Sequence, residues 1–147
     1  MKIENNTRKR YKGPYSYTKI QQLEHYTRLK KEADYHKQEV ERFKESYRRT
    51  NISGFNNSAI REQKIVDEYE NKLKQIREII KTVRDKDEVL GTYLALRCIG
   101  NLKRREISEQ MDVSTNTVTN IRIRVRKLLE KVWPEDVYIR TIHSIPF

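Results

Sequence analysis

The sequence predicts an all-α protein, with two long charged helices forming a hairpin or coiled coil ahead of a group of shorter helices. Three observations point there. Apolar residues recur at heptad spacing over two long stretches, the mark of a coiled-coil seam or an antiparallel helix pair. Charged residues make up 36% of the chain and hydrophobic ones 35%, too polar a balance for one large core and well suited to exposed helices. Only 4 glycines and 3 prolines punctuate the 147 residues, which argues against a loop-rich or low-complexity chain.

Residues 1–17 hold five basic residues and one acidic, no apolar periodicity and a Gly13-Pro14 break, and so read as a basic flexible arm. Residues 18–84 form the helical hairpin or coiled coil. Its first helix runs from about Thr18 to Arg49. Tyr26, Leu29, Ala33, His36, Val40, Phe43 and Tyr47 follow one another in alternating steps of three and four, and charged residues fill the other faces. The run 50-TNISGFNNS-58, rich in Asn, Ser and Gly, reads as a loop. The second helix, from about Ala59 to Arg84, repeats the seam with Val66, Tyr69, Leu73, Ile76, Ile80 and Val83. The two seams can cover each other within one chain or pair between chains as a homodimer, and spacing alone allows both. His36, polar on an apolar seam, reads as a packing or register residue.

Residues 85–133 hold the shorter helices. Asp85, with Glu88 three residues on, makes a variant of the capping box that opens the first of them. Leu90, Leu94 and Ala95 form its apolar side, and Gly100-Asn101 stops it. A short amphipathic helix spans Leu102 to Met111. The last helix runs from Ser114 to about Val132 and ends at Trp133-Pro134, because the residue before proline disfavours helix. Residues 134–147 are a moderately apolar tail that either packs back or forms a short strand.

The run 103-KRREISEQMDVSTNTVTNIRIRVRKLL-129 has the pattern of a helix-turn-helix. Such a motif needs apolar residues where its helices pack, a small residue at their crossing and a tight turn between them. Ile107, Met111, Val113, Val118 and Ile121 fall at the apolar positions, and Ser108 supplies the small residue. Asp112 stands at the turn, where Asp is among the non-glycine residues that best tolerate left-handed backbone. Ser114 is a natural N-cap for the helix that follows.

On these residues, positions 85–133 resemble the region-4 DNA-binding module of bacterial sigma factors, a four-helix arrangement ending in a helix-turn-helix. With the charged helical region in front, the whole chain is similar in layout to the small phage-encoded transcriptional regulators of the ArpU/RinA type. The resemblance implies a sequence-specific regulator that activates phage or prophage late genes. Its first half would dimerise the protein or contact RNA polymerase, and it would work in the cytoplasm of a bacterial host, on the nucleoid. The recognition helix opens on Ser114-Thr115-Asn116-Thr117, not on the Arg- and Glu-containing run of sigma factors, a departure that bears on which promoter element it would read.

The stretch 120-NIRIRVRK-127 alternates apolar and basic residues as a strand would. At the helical period, however, Val118, Ile121, Val125, Leu128, Leu129 and Val132 fall within an arc of about 100°, a stripe of normal width for a core-facing helix. A strand would not produce those spacings, so the helix is preferred and packing overrides the poor propensity of Thr, Val and Ile. On the outward face Thr115, Asn116, Thr119 and Asn120 are placed for base reading, since Asn pairs bidentately with adenine and Thr touches thymine methyls. Ile123 joins them as an apolar contact, and its burial against the protein would disprove the helix phase. Lys103, Arg104, Arg105, Ser114, Arg122, Arg124, Arg126 and Lys127 are placed for phosphate contacts.

The formal charge is +11, from 32 Lys+Arg and 21 Asp+Glu, which favours a polyanionic partner, double-stranded DNA first. The single cysteine, Cys98, lies in an apolar run and is expected to be a buried structural thiol in a reducing compartment. No stretch is apolar enough to span a membrane. His25, His36 and His143 are scattered, and no zinc spacing, phosphate loop or nucleophile–base pair is present, so neither catalysis nor a cofactor or metal is expected. Two other readings remain open: a small terminase-like protein that recognises a DNA packaging site, and a coiled-coil adaptor whose basic helix binds an acidic protein.

Overall fold

A computed structural model describes residues 17–139, all of whose regular elements are helical, with no strand among them. The basic arm as far as residue 16, the tail beyond residue 139 and His143 lie outside the described residues. The elements are α1 (Lys19–Leu23), α2 (Tyr26–Thr50), α3 (Ser53–Lys86), α4 (Glu88–Leu94), which continues into a π-helical turn (Ala95–Ile99), α5 (Arg104–Met111) and α6 (Thr115–Val132).

The two long helices close on each other within the chain. Leu29, Ala33, His36 and Val40 of α2 are buried, as are Val66, Tyr69, Leu73, Ile76, Ile80 and Val83 of α3. Their cross-links run in opposite directions along the two helices. Arg77 donates to the Tyr26 hydroxyl (3.0 Å), Lys37 pairs with Glu70 (2.6 Å), and His36 Nδ1 lies 2.5 Å from Glu62 Oε2. The pair is therefore an antiparallel hairpin, and the seams that a homodimer would have used face each other instead. His36 also stacks on Tyr69, with ring centroids 5.6 Å apart, which makes it the packing residue its seam position implied.

Three boundaries differ from the sequence expectation, each for a local reason. The first helix is not continuous from Thr18, because Glu24 and His25 tighten to ψ near zero (−9° and −6°) and turn α1 away from the α2 axis. Thr18 caps α1 in a reciprocal box with Gln21, so this short piece begins independently. The expected nine-residue loop shrinks to Asn51 and Ile52. Asn51 takes the left-handed conformation (φ 55°) that ends α2, and Ser53 to Ser58 are already helical, since propensity costs of a few tenths of a kcal/mol per residue yield to continuation of a long packed helix. Likewise α3 runs on through Asp85 to Lys86. The break falls at Asp87, whose extended backbone (ψ 107°) redirects the chain and whose Oδ1 accepts from Leu90 N–H (3.2 Å) as the true N-cap of α4.

The fold turns sharply here because Gly91 lets α4 lie against the end of α3. A Cβ at Gly91 would sit 2.4 Å from the Arg84 Cα. At the far end of α4 it is Asn101, not Gly100, that takes left-handed backbone (φ 56°). Gly100 is needed for space, because its Cβ would come within 2.8 Å of the Leu96 carbonyl oxygen.

One apolar core joins the base of the hairpin to the shorter helices. It runs from Ile20 and Leu23 of α1 through Leu73, Ile76 and Val83 of α3 to Leu94, Ile107, Val125 and Leu129. Cys98 lies in it, and burial pushes its thiol up to about 12, as expected of a structural cysteine. The described part of the tail packs back without forming a strand. Trp133 Nε1 donates to the Val137 carbonyl (2.8 Å) and Ile139 is fully buried. Gln22, itself buried, holds the two ends together by donating to the Tyr17 carbonyl (3.1 Å) and accepting from Ile139 N–H (2.8 Å).

Candidate nucleic-acid interface

The pair α5 and α6 has the parts that the sequence pattern requires. Ile107, Val118 and Ile121 are buried between and behind the helices, and Met111 and Val113 are half-buried at the turn. Ser108 is buried and folds its hydroxyl back to the Arg105 carbonyl (2.8 Å), which keeps a small side chain at the crossing free of an unpaired polar group. Asp112 takes the left-handed conformation (φ 56°, ψ 49°), and Val113 N–H returns to the Ser108 carbonyl (3.0 Å), closing α5. Ser114 then caps α6 by accepting from Thr117 N–H (3.1 Å).

The outward face of α6 carries a narrow stripe. At about 100° per residue, Asn116, Asn120, Ile123 and Lys127 fall nearly opposite the buried Val118 and Val125. All four are exposed, and Ile123 remains 44% accessible, so the helix phase holds. Neither Asn side chain has a hydrogen-bond partner among the described residues, so both amides are available to a ligand. Thr115 is exposed at the first turn. Thr119 differs from the expectation, because its hydroxyl donates to the Thr115 carbonyl (3.1 Å) and accepts from Arg104 Nη1 (3.1 Å). Only its methyl is left for a base edge.

The basic residues divide into two groups. Lys103, Arg105, Arg126 and Lys127 are exposed and have no ion pair among the described residues, and Arg104 is exposed with only Thr119 as partner. Ser114 is exposed, though its oxygen is occupied by the cap and by Thr117 Oγ1 (2.9 Å). Arg124 pairs with the N-cap carboxylate Asp87 (3.0 Å) in an exposed contact that a phosphate could replace.

Arg122, placed for a phosphate contact, is already engaged within the protein. Its guanidinium donates to Glu24 (2.7 Å and 3.4 Å) and to the Tyr93 hydroxyl (3.2 Å), and it is half-buried. The same carboxylate accepts from Arg97 Nε at 2.8 Å. Burial alone would raise the Glu24 carboxyl, but the hydrogen bonds and charges of Arg122 and Arg97 outweigh it and hold it below its ordinary value. Burial would lower Arg122, and Glu24 and Tyr93 more than compensate, so its charge is held firmly on. Arg122 sits on the shoulder of the core stripe, where α1 covers it, and a helical wheel of α6 alone contains no α1. Glu24, Tyr93 and Arg97 therefore belong to the site's framework although no local spacing marks them.

Among the described residues no group of three His, Cys, Asp or Glu side chains is placed to hold a metal, and no helix is long and apolar enough to cross a membrane. No protein-family model, curated protein or solved structure matches this chain.

Proposed function

We propose that this protein is a sequence-specific regulator of transcription that inserts α6 into the major groove of double-stranded DNA. Asn116 and Asn120 read adenine edges, Thr115 and the methyls of Thr119 and Ile123 contact thymine, and Lys103, Arg104, Arg105, Arg126 and Lys127 bind the phosphates on either side. The observation that supports this reading is the juxtaposition, on one exposed stripe of α6, of two amides without a partner among the described residues and flanking cations without an ion pair among them, with α6 capped by Ser114 after the tight turn from α5. A chain of net charge +11 with that arrangement is suited to a polyanion that presents hydrogen-bonding edges. The resemblance to sigma region 4 and to the ArpU/RinA-type regulators extends the proposal to activation of phage or prophage late genes, with the hairpin offered to RNA polymerase. Selection of bound duplexes from a random pool tests it. Enrichment of one adenine-containing motif at physiological salt is the expected result. A pool that stays random would overturn base reading, and failure to retain any DNA would overturn the function.

A further inference from the structure

The geometry points to a discrete phosphate-binding pocket beside the recognition helix, in the groove where α4, the π-helical turn, α5 and α6 meet. The groove has a volume of about 350 Å³ and is lined by Tyr93, Arg97, Lys103, Arg104, Thr119 and Arg122 among others. That volume lies at the small end of ligand clefts, enough for a phosphodiester with part of its flanking sugars.

Among the described residues four cations line this groove and no acidic side chain does, and the carboxylates nearby do not cancel them. Glu24 is shared between Arg97 (2.8 Å) and Arg122 (2.7 Å), so one carboxylate faces two guanidinium groups. Lys103 has no ion pair among the described residues, although Glu106 accepts from its backbone N–H (2.9 Å) at the first turn of α5. Arg104 donates to the Thr119 hydroxyl and, among the described residues, to no carboxylate. A positive excess is therefore built into the walls. Tyr93 adds a neutral donor: it is 3% exposed and its oxygen accepts from Arg122 (3.2 Å), but its own proton has no acceptor among the described residues. An anion in the groove would supply that acceptor.

The arrangement is also stiff. Glu24 holds Arg97 and Arg122 in place, and Arg97 Nη1 donates to the Leu102 carbonyl (3.1 Å), so little side-chain freedom is lost when an anion arrives. The planar guanidinium fork of arginine matches the oxygens of a phosphate bidentately, and those of Arg97, Arg104 and Arg122 stand in the walls of this groove. Arg104 and Thr119 belong both to this pocket and to the DNA face, which makes a backbone phosphate the expected occupant. That identification of the source rests on the DNA reading above. The pocket's affinity for phosphate does not.

Two titrations of the full chain separate the questions: orthophosphate followed by amide NMR shifts, and a random-sequence duplex followed by fluorescence anisotropy across salt. Orthophosphate should shift the amides of Tyr93, Arg97, Lys103, Arg104 and Thr119 at saturable occupancy. Tyr93→Phe and Lys103→Ala should each weaken that binding at least threefold, and Lys44→Ala, the same loss of charge on the hairpin, should not. Lys103→Ala should also flatten the slope of log affinity against log salt by about 0.9, one phosphate's share. Normal duplex binding with no saturable phosphate shift at these residues would overturn the pocket and leave the DNA reading standing. Saturable phosphate binding there without duplex binding would support the pocket, overturn DNA as its source and point to a small phosphorylated molecule. Unchanged phosphate affinity in both Tyr93→Phe and Lys103→Ala would sink the assignment.

Discussion

Single side chains on α6 have different fates according to their angle on the helix. Asn120 is exposed, without a partner among the described residues and opposite the buried Val118, so replacing it with alanine should leave folding intact. Asn120→Ala is expected to weaken binding to the selected site by about 1–3 kcal/mol and to spare random DNA. Competition binding against both duplexes checks this, and equal loss on both would remove its base-reading role. Arg122 has the opposite character, a cation held inside the protein by Glu24. Glu24→Gln leaves two half-buried guanidinium groups without their shared carboxylate, and a cost of about 1–3 kcal/mol at neutral pH is expected. The pH dependence has a definite sign. The folded carboxyl titrates below its ordinary value of 4.5, so its contribution is complete above that pH and is lost as pH falls through the folded pKa. Denaturant melts of the two proteins should therefore converge in acid. A gap that persists after the Glu24 carboxyl is protonated would mean that Gln perturbs packing and not charge.

Helix boundaries depend on the few residues whose backbone or cap permits them. Asp85 and Asp87 both carry a cap-competent carboxylate, and only Asp87 has the extended backbone that lets its side chain reach the first turn of α4. Composition also misled at 50–58, where Asn, Ser and Gly usually mark a loop but here mostly open α3. Asp112, Ser114 and Pro134 did fall where their chemistry places them, at a left-handed turn, an N-cap and just past a helix end. Ser114→Ala should cost about 1 kcal/mol and fray the turn that presents Asn116, read as a lower melting temperature and weaker specific binding. Gly91 is less forgiving, because any Cβ would overlap the Arg84 backbone. Gly91→Ala is expected to destabilise by about 1–3 kcal/mol through overpacking, even though alanine is the better helix former. A stability equal to that of the parent would show that α4 can slide off α3.

Among the described residues one apolar core spans residue 85, joining the base of the hairpin to the shorter helices. Ile20 and Leu23 of α1, the base of α3 and Ile139 share that core with α5 and α6. A fragment beginning at residue 85 would expose that shared surface and lose Glu24, so it should be helical by far-ultraviolet circular dichroism but lack a cooperative melt. A sharp transition in the fragment would show that the helix-turn-helix stands alone. Much of this organisation was legible in the chain. Heptad steps of three and four mark both long helices, and the stripe from Val118 to Leu129 sets the phase of α6, because burial of apolar area imposes the helical period on the sequence itself. Turn and cap chemistry at Asp112 and Ser114 was local and therefore readable. What only the tertiary structure decided is which faces meet between separate elements: that the two seams close within one chain, that Glu24 reaches Arg122 across 98 positions, and that the Thr119 hydroxyl accepts from Arg104. Periodicity reports that a face is covered. It does not report what covers it, since that depends on loop geometry at Asn51, Asp87 and Gly91 acting on elements far apart in the chain.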